Sequence, residues 1–356
     1  MTARRKPTSR LGVPRRSLLT GGAAVVATRL YPFITRTPSA LAHGEQAGPY
    51  EISALRYQGW ASRVTFPELA ADLGYLAPIT LKWVGNTISG PQDIQAAVTG
   101  DTDFGGAFHS AIERLVAAGA PIKAIIGTSG TDKDTWPGLY VLSGGAIKGP
   151  RDLLGKKIAV NTLGAHDEFM IDVYLQRHGL SPAEIKQVTL VPMPPASAEH
   201  VLRLKQVDAA ILSDVFRDKA MAVGGLDLLL TDYQLFGTLT TGSYVLTKRF
   251  IAANPNTTRK FVEASARAIE WARTRPRAAV IARFQDIIKK RGRDEDAGVV
   301  TYWKSTGLAE RGGLLEDRSF SLYIDWFRDN GDAAVGQLQP KDLYTNEFNP
   351  FRSSPS

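Results

Sequence analysis

Residues 159–169 read AVNTLGAHDEF, and the fold follows from how this stretch is parsed. A short apolar strand, Lys157 to Val160, stops abruptly. Asn161, Thr162, Gly164 and Ala165 follow, small or polar around the single apolar Leu163. A helical pattern then begins, with Phe169, Val173 and Leu175 among its apolar positions. A polar, glycine-containing turn between a strand and a helix leaves backbone N–H groups pointing outward. The helix dipole makes such a spot attractive to anions.

The surrounding chain repeats this unit. From Lys157 to about Gly225, the strand KIAV leads to NTLGAH and a helix closing on HGLSP. VTLVPM then leads to PPASA and the helix EHVLRLKQ, and VDAAILSD leads to FRDKAMAVGG. From Ile52 to about Gly119 the same order holds. ISALRY leads to QGWAS and a helix closing on LGYLAP, ITLKWV to NTISGP and QDIQAAVTG, and DTDFGGAFHS to AIERLVAAG. Short apolar strands alternating with helices predict βαβ units and a parallel sheet, so two copies predict two α/β lobes. Ligands bind beyond the carboxyl ends of such strands, which places three loops from each lobe around one cleft. The chain is expected to cross between lobes near Ser143 and to return near Thr241, two crossings that make a hinge. The predicted organisation is a leader over residues 1–42, a first lobe from 43–142 and 242–356 that includes C-terminal helices, and a second lobe from 143–241. Beyond Pro255 the pattern is helical, with an apolar stripe at Phe261, Ala264, Ala268 and Trp271.

The 356 residues carry a formal charge of +8, which at first suggests a nucleic-acid or acidic-lipid partner. The excess is local. Residues 1–42 hold eight basic residues and no acidic one; of the 43 basic residues, 35 remain beyond them, against 35 acidic. The rest of the chain is formally neutral and has no aromatic-rich basic patch, so no nucleic-acid partner is expected. The leader reads as an export signal. A basic start reaches Arg15 and Arg16, a modestly apolar run from Ser17 to Thr28 follows, and Ala40-x-Ala42 offers the small residues a signal peptidase needs. RRSLL resembles a twin-arginine motif, with Pro14 before the pair and Leu18 in place of Phe. The chain has no cysteine, which excludes a disulfide, a thiolate metal site, a cysteine nucleophile and a lipoprotein anchor. A periplasmic, unanchored protein is expected.

Motifs for common chemistries are missing. The strand–helix turns carry no phosphate-loop or GxGxxG pattern, and there is no GxSxG elbow. Of the five histidines, only His109 and His166 fall on predicted cleft loops, one per lobe; together with Asp167 and Asp214 they could take a metal, and either histidine could serve as acid or base. No metal, cofactor or catalytic residue is assigned. The loops themselves offer binding groups: Gln58, Gly59 and Trp60; Ser89 and Gly90; Ala107, Phe108 and His109 in the first lobe. In the second they are Asn161, Thr162, Gly164, Ala165 and His166; Met193 and Pro194; Ser213, Asp214 and Phe216. This set is rich in hydroxyls, backbone donors and rings and contains no Arg or Lys. It suits a monoanion or a mostly neutral aromatic held by helix N-termini, hydroxyls and stacking.

GNTISGPQDIQAAVTGDTDFGGAFHSAIERLVAAGAPIKAI and IKGPRDLLGKKIAVNTLGAHDEFMIDVYLQRHGL resemble the nitrate/sulfonate/taurine-type substrate-binding proteins of ABC importers, whose fold the thiamine-pyrimidine precursor proteins share. The resemblance covers most of residues 50–270 and implies a type II periplasmic-binding-protein fold with the ligand cleft between two lobes. Its ligand loops map onto Gln58 to Ala61, Ser89 and Gly90, Ala107 to His109, Thr162 to His166, and Ser213 to Phe216. The implied function is a non-enzymatic, monomeric solute-binding protein. It would capture a small organic anion (a sulfonate, a nitrate-like oxyanion or an aromatic carboxylate) and deliver it to an inner-membrane ABC permease. The alternatives are a periplasmic enzyme using His109 or His166 as acid/base, and a sensor module for a receptor. The fungal pyrimidine synthases on this fold rely on a Cys-rich motif, which this chain lacks.

The export reading has a direct test. Replacing Arg15 and Arg16 with Lys should abolish delivery to the periplasm in fractionated cells; delivery at the normal level would exclude the twin-arginine route.

Overall fold

The computed structural model describes residues 49–352, so the leader lies outside the described residues. Among the described residues, ten strands form three sheets. β1 (Ala54–Gly59) and β2 (Thr80–Asn86) run parallel. β10 (Leu239–Thr247) lies between β3 (Gly105–Phe108) and β4 (Ile122–Thr131) and is antiparallel to both. Five strands, β5 (Gly138–Leu142), β6 (Lys157–Val160), β7 (Thr189–Pro192), β8 (Ala209–Leu212) and β9 (Leu226–Thr231), pair in the order β7-β6-β8-β5-β9. The expectation of all-parallel sheets needs amending. β6, β7 and β8 are parallel, as βαβ units require, but β5 enters antiparallel to β8 and β9. The antiparallel strands β5 and β10 are those on which the chain arrives from the other sheet system.

The repeated sequence pattern corresponds to a repeated device. Asp103, just before β3, accepts from Arg56 N at 2.6 Å and donates its own N–H to Arg56 O at 2.9 Å. Asp208, just before β8, does the same with Lys157, 2.8 Å in each direction. Each carboxylate ties the third strand of its unit to the first. Asp103 adds an ion pair to the Arg56 guanidinium at 2.6 Å. The start of the second strand is also tied alike: Thr80 N donates to Ser53 O, and Thr189 N to Lys156 O.

The helices that follow the strands place the loops. α1 (Phe66–Asp72) starts with a capping box between Thr65 and Glu68. α2 (Gly90–Thr99) ends on Gly100 at φ +87°, a left-handed cap that glycine adopts without steric cost. α3 (His109–Ala117), α4 (His166–Arg177), α5 (Pro195–Arg203) and α6 (Asp214–Val223) each begin directly after a strand or its loop. α7 (Asp232–Phe236) follows β9. α8 (Pro255–Thr274), α9 (Arg277–Arg291) and α10 (Arg318–Asp329) come from the C-terminal third. Among the described residues no helix is long and apolar enough to cross a membrane.

The crossings lie earlier than the expected Ser143 and Thr241. The chain leaves one sheet system at Thr131 and enters the other at Gly138; it leaves that at Thr231 and returns at Leu239. LYVL is β5 itself rather than a crossing segment.

α10 belongs to both cores. Phe320 and Ile324 pack with Ile94, Ile112 and Val245, whereas Tyr323, Trp326 and Phe327 pack with Ile158, Phe169 and Ile211 of the five-stranded sheet. A helix with residues three and four apart on one face meets two neighbours when its apolar stripe is wide, and this stripe is continuous from Phe320 to Phe327. Buried polar contacts fix it in place. His109 Nδ1 donates to Ser319 O at 2.9 Å, and Nε2 lies 2.7 Å from Ser243 Oγ. His166 Nδ1 lies 2.7 Å from the Tyr323 hydroxyl and Nε2 3.0 Å from Asp232 Oδ2. Asp232 Oδ1 in turn accepts from Thr131 Oγ1 at 2.8 Å. A carboxylate accepts, so His166 Nε2 carries the ring proton and Nδ1 accepts from Tyr323.

Two consequences are measurable. Tyr323→Phe leaves His166 Nδ1 buried without a partner and should cost about 1–3 kcal/mol in denaturant unfolding; a change below about 0.5 kcal/mol would show that this bond contributes no net stability. Glu113 of α3 is fully buried, neither carboxylate oxygen has a partner among the described residues, and burial pushes its pKa well above the usual range. An acid whose folded pKa is raised costs nothing at low pH and destabilises as pH climbs from its unfolded value, about 4, towards its folded one. Glu113→Gln should therefore gain on the wild type as pH rises above about 4. A difference that does not vary with pH would contradict this.

Candidate functional site

A cavity of about 240 Å³ lies where the carboxyl ends of strands from both sheet systems converge. The first loop, after β1, is held from behind by α9 and the residues that follow it. Arg291 Nη1 donates to Glu68 at 3.0 Å, Arg293 Nη2 donates to Tyr57 Oη at 2.7 Å, and Tyr57 Oη donates to Glu68 at 2.6 Å. Since Glu68 also caps α1, one buried carboxylate ties the strand, the helix and the C-terminal segment around residues 60–65. The second loop approaches through Gly90. A Cβ there would lie 2.5 Å from Ala107 Cβ, so only glycine lets α2 start this close to β3.

The expected site residues divide. Trp60, Gly90, Ala107, Phe108, Asn161, Met193, Ser213 and Asp214 line the cavity. Phe216 lies just behind, with the Arg63 guanidinium 5.1 Å from its ring centre. Gln58 and Gly59 are strand residues beneath the first loop, and a Cβ on Gly59 would meet Arg293 Nη1 at 2.7 Å. Ser89 is the N-cap of α2 without a side-chain cap bond, and neither it nor Pro194 is on the wall. Thr162 is likewise off the wall; its hydroxyl donates to Asn161 Oδ1 at 3.0 Å. Ala165 is buried. Gly164 faces away, into a separate cavity of about 350 Å³ with Arg114, Glu168, Asp172 and Trp326.

The two histidines expected on cleft loops are not on the cleft. Both rings are fully buried, with both nitrogens engaged as described above. Burial lowers the His109 pKa to about 3, so this ring is neutral. Each is the first residue of its helix, and the helix start turns the side chain inward onto α10. The outward N–H groups expected of NTLGAH are also partly spent within the loop. Asp167 Oδ2 accepts from Asn161 N, and Glu168 Oε2 from Gly164 N, both at 2.7 Å. Acidic side chains in the first helical turn take the loop donors that a ligand would otherwise find.

Other lining residues escape the sequence reading. The expectation of a cleft without Arg or Lys is overturned by Arg63, three residues past Trp60 in the same loop. Thr128, Ser129 and Gly130 come from the end of β4, and Thr135 and Trp136 from the crossing. Trp303, Ser305 and Thr306 come from the segment after α9. The hydroxyl-rich TSGTDKDTW was a visible signal; the YWKST stretch carries no repeat pattern and arrives only through tertiary packing.

Residues 69–279, more than half of the chain, match the family model described as NMT1/THI5 like. The search of curated proteins finds no significant match. Among solved structures, the chain is similar to the alkanesulfonate-binding protein SsuA of Xanthomonas axonopodis pv. citri bound to MOPS: 24% identity, 78% of this chain and 93% of that one, TM-score 0.62. It is similar to the periplasmic nitrate-binding protein NrtA of Synechocystis PCC 6803: 14% identity, 84% and 88% covered, TM-score 0.60. It is also similar to the desulfurization enzyme DSZB: 14% identity, 83% and 97% covered, TM-score 0.56. The two-lobed fold is thus that of periplasmic binding proteins and is shared with an enzyme. With its β-α repeat in each lobe and the family match across both, the chain belongs to the NMT1/THI5-like family.

Proposed function

We propose that this protein is the exported solute-binding component of an ABC importer, which captures a small organic anion by lobe closure and delivers it to a membrane permease. The observation that carries this reading is the composition of the cleft. Loops from both sheet systems meet on one small cavity walled by Trp60, Phe108, Trp136 and Trp303 and edged by Thr128, Ser213 and Thr306 hydroxyls. Aromatic walls with a few convergent polar groups hold and orient a ligand. The competing acid–base reading depends on His109 and His166, and both are buried with neither nitrogen free to meet a substrate. The same reading implies a periplasmic location and a permease as partner; the nitrate-binding neighbour NrtA is named as a periplasmic protein.

Calorimetry with sulfonates, aromatic carboxylates and nitrate, combined with small-angle scattering, tests it. Reversible stoichiometric binding with a more compact liganded protein is the expected result. Trp60→Ala should weaken an aromatic or alkyl sulfonate by about 1–3 kcal/mol through lost apolar burial, and nitrate by little. Product formation in place of reversible binding would refute the transport reading.

A further inference from the structure

Arg63 is the one arginine or lysine among the described residues that line the cleft, and its surroundings are unusual. The guanidinium lies over the Phe216 ring, and Arg63 Nε is 3.4 Å from Asp214 Oδ2. Nε and Nη2 are both buried, yet neither has a hydrogen-bond partner among the described residues. The carboxylate covers this edge of the guanidinium without bonding to it. A buried unsatisfied donor is costly, and two on one charged group more so. Nε–H and Nη2–H point the same way and are spaced to receive two oxygens of one anion side by side.

The pair also spans the cleft. Arg63 follows β1, and Asp214 begins α6 after β8 of the five-stranded sheet. The backbone is strained at both ends: Ser62, next to Arg63, has φ +58° and Asp214 has φ +54°. These are two of only four left-handed non-glycine residues among the described residues. Such strain gathers where two arrangements compete. The third charged group on the wall, Asp167, is already engaged by Asn161 N.

We infer that Arg63 is the residue that reads the solute's anionic group, and that Asp214 is a built-in competitor which holds Arg63 across the cleft and gives it up to the incoming anion. The inference rests on the solute-binding reading and assigns within it the recognition element and the exchange. When the lobes part, Arg63 and Asp214 separate. A carboxylate or sulfonate then takes the Nε–Nη2 edge in the bidentate geometry that Asp214 does not achieve. The carbon body of the solute faces Trp60 and Trp136. Asp214 is left to solvent, where it is already about one-third exposed.

The test uses the mature protein titrated with benzenesulfonate, propanesulfonate and benzoate, and with neutral benzenesulfonamide. Arg63→Gln should weaken the anions about 10- to 150-fold, the equivalent of one charge-assisted bond, and leave the sulfonamide within about twofold. Asp214→Asn should act in the opposite direction and tighten the anions several-fold, a gain that a folding defect cannot mimic. It should also leave the ligand-free protein more open by small-angle scattering than the wild type. If the wild type binds no anion of the set, the solute-binding reading falls and this inference with it. If the wild type binds one and Arg63→Gln keeps the affinity, the assignment of Arg63 alone is wrong. If Asp214→Asn weakens binding, Asp214 contacts the solute directly and the exchange is overturned.

Discussion

The architecture depends on a buried carboxylate, that of Asp232. It stands at the first position of α7, where the chain turns back from one sheet system, and it accepts from Thr131, the last residue of β4, where the chain sets out. Its other oxygen meets His166 at the start of α4, and His166 meets Tyr323 in the middle of α10. Four elements distant in sequence thus share one chain of hydrogen bonds with no solvent access. In a low-dielectric interior such a chain is strong when complete and costly when any member is lost. Both crossings and the helix common to both cores meet at it.

The cleft is built outward from that point. α3 and α4 each begin with a histidine that faces inward, while Phe108, immediately before α3, and Asn161, at the start of the loop that leads to α4, line the cavity. On the other side the Glu68 network with Tyr57, Arg291 and Arg293 fixes the first loop, and with it Trp60 and Arg63. Both arrangements follow one rule: a buried polar group at the base of a loop orients the exposed residues at its tip. The charge on the cleft wall follows from this as well. Asp167 accepts from a backbone donor beside it, whereas Arg63 meets the Asp214 carboxylate at 3.4 Å without a hydrogen bond, and the Phe216 ring.

Much of this was legible in the sequence. Alternating apolar strands and helices imply α/β units, and their repetition at 52–119 and 157–225 implies two lobes. The aspartates of DTDFGG and VDAAIL mark equivalent positions, because each must tie a third strand to the first. The loops between strands and helices pointed to Trp60, Gly90, Phe108, Asn161, Ser213 and Asp214, all of which line the cavity. Pattern determines these features because they depend on near neighbours: a strand end, a helix start and the residues between them.

What the pattern did not contain was decided by partners far along the chain. His109 bonds to a residue 210 positions away and His166 to one 157 positions away, so nothing near either ring shows that it is buried. The placing of α10 in both cores, the arrival of Trp303 and Thr306 at the cleft, and the meeting of Arg63 with Asp214 have the same origin. Periodicity tells which face of an element is apolar but not what is packed against it. The sequence alone determined the two-lobed α/β plan and the places where its loops gather; only the tertiary structure decided which loop residues face the cavity and which are buried to hold it in shape.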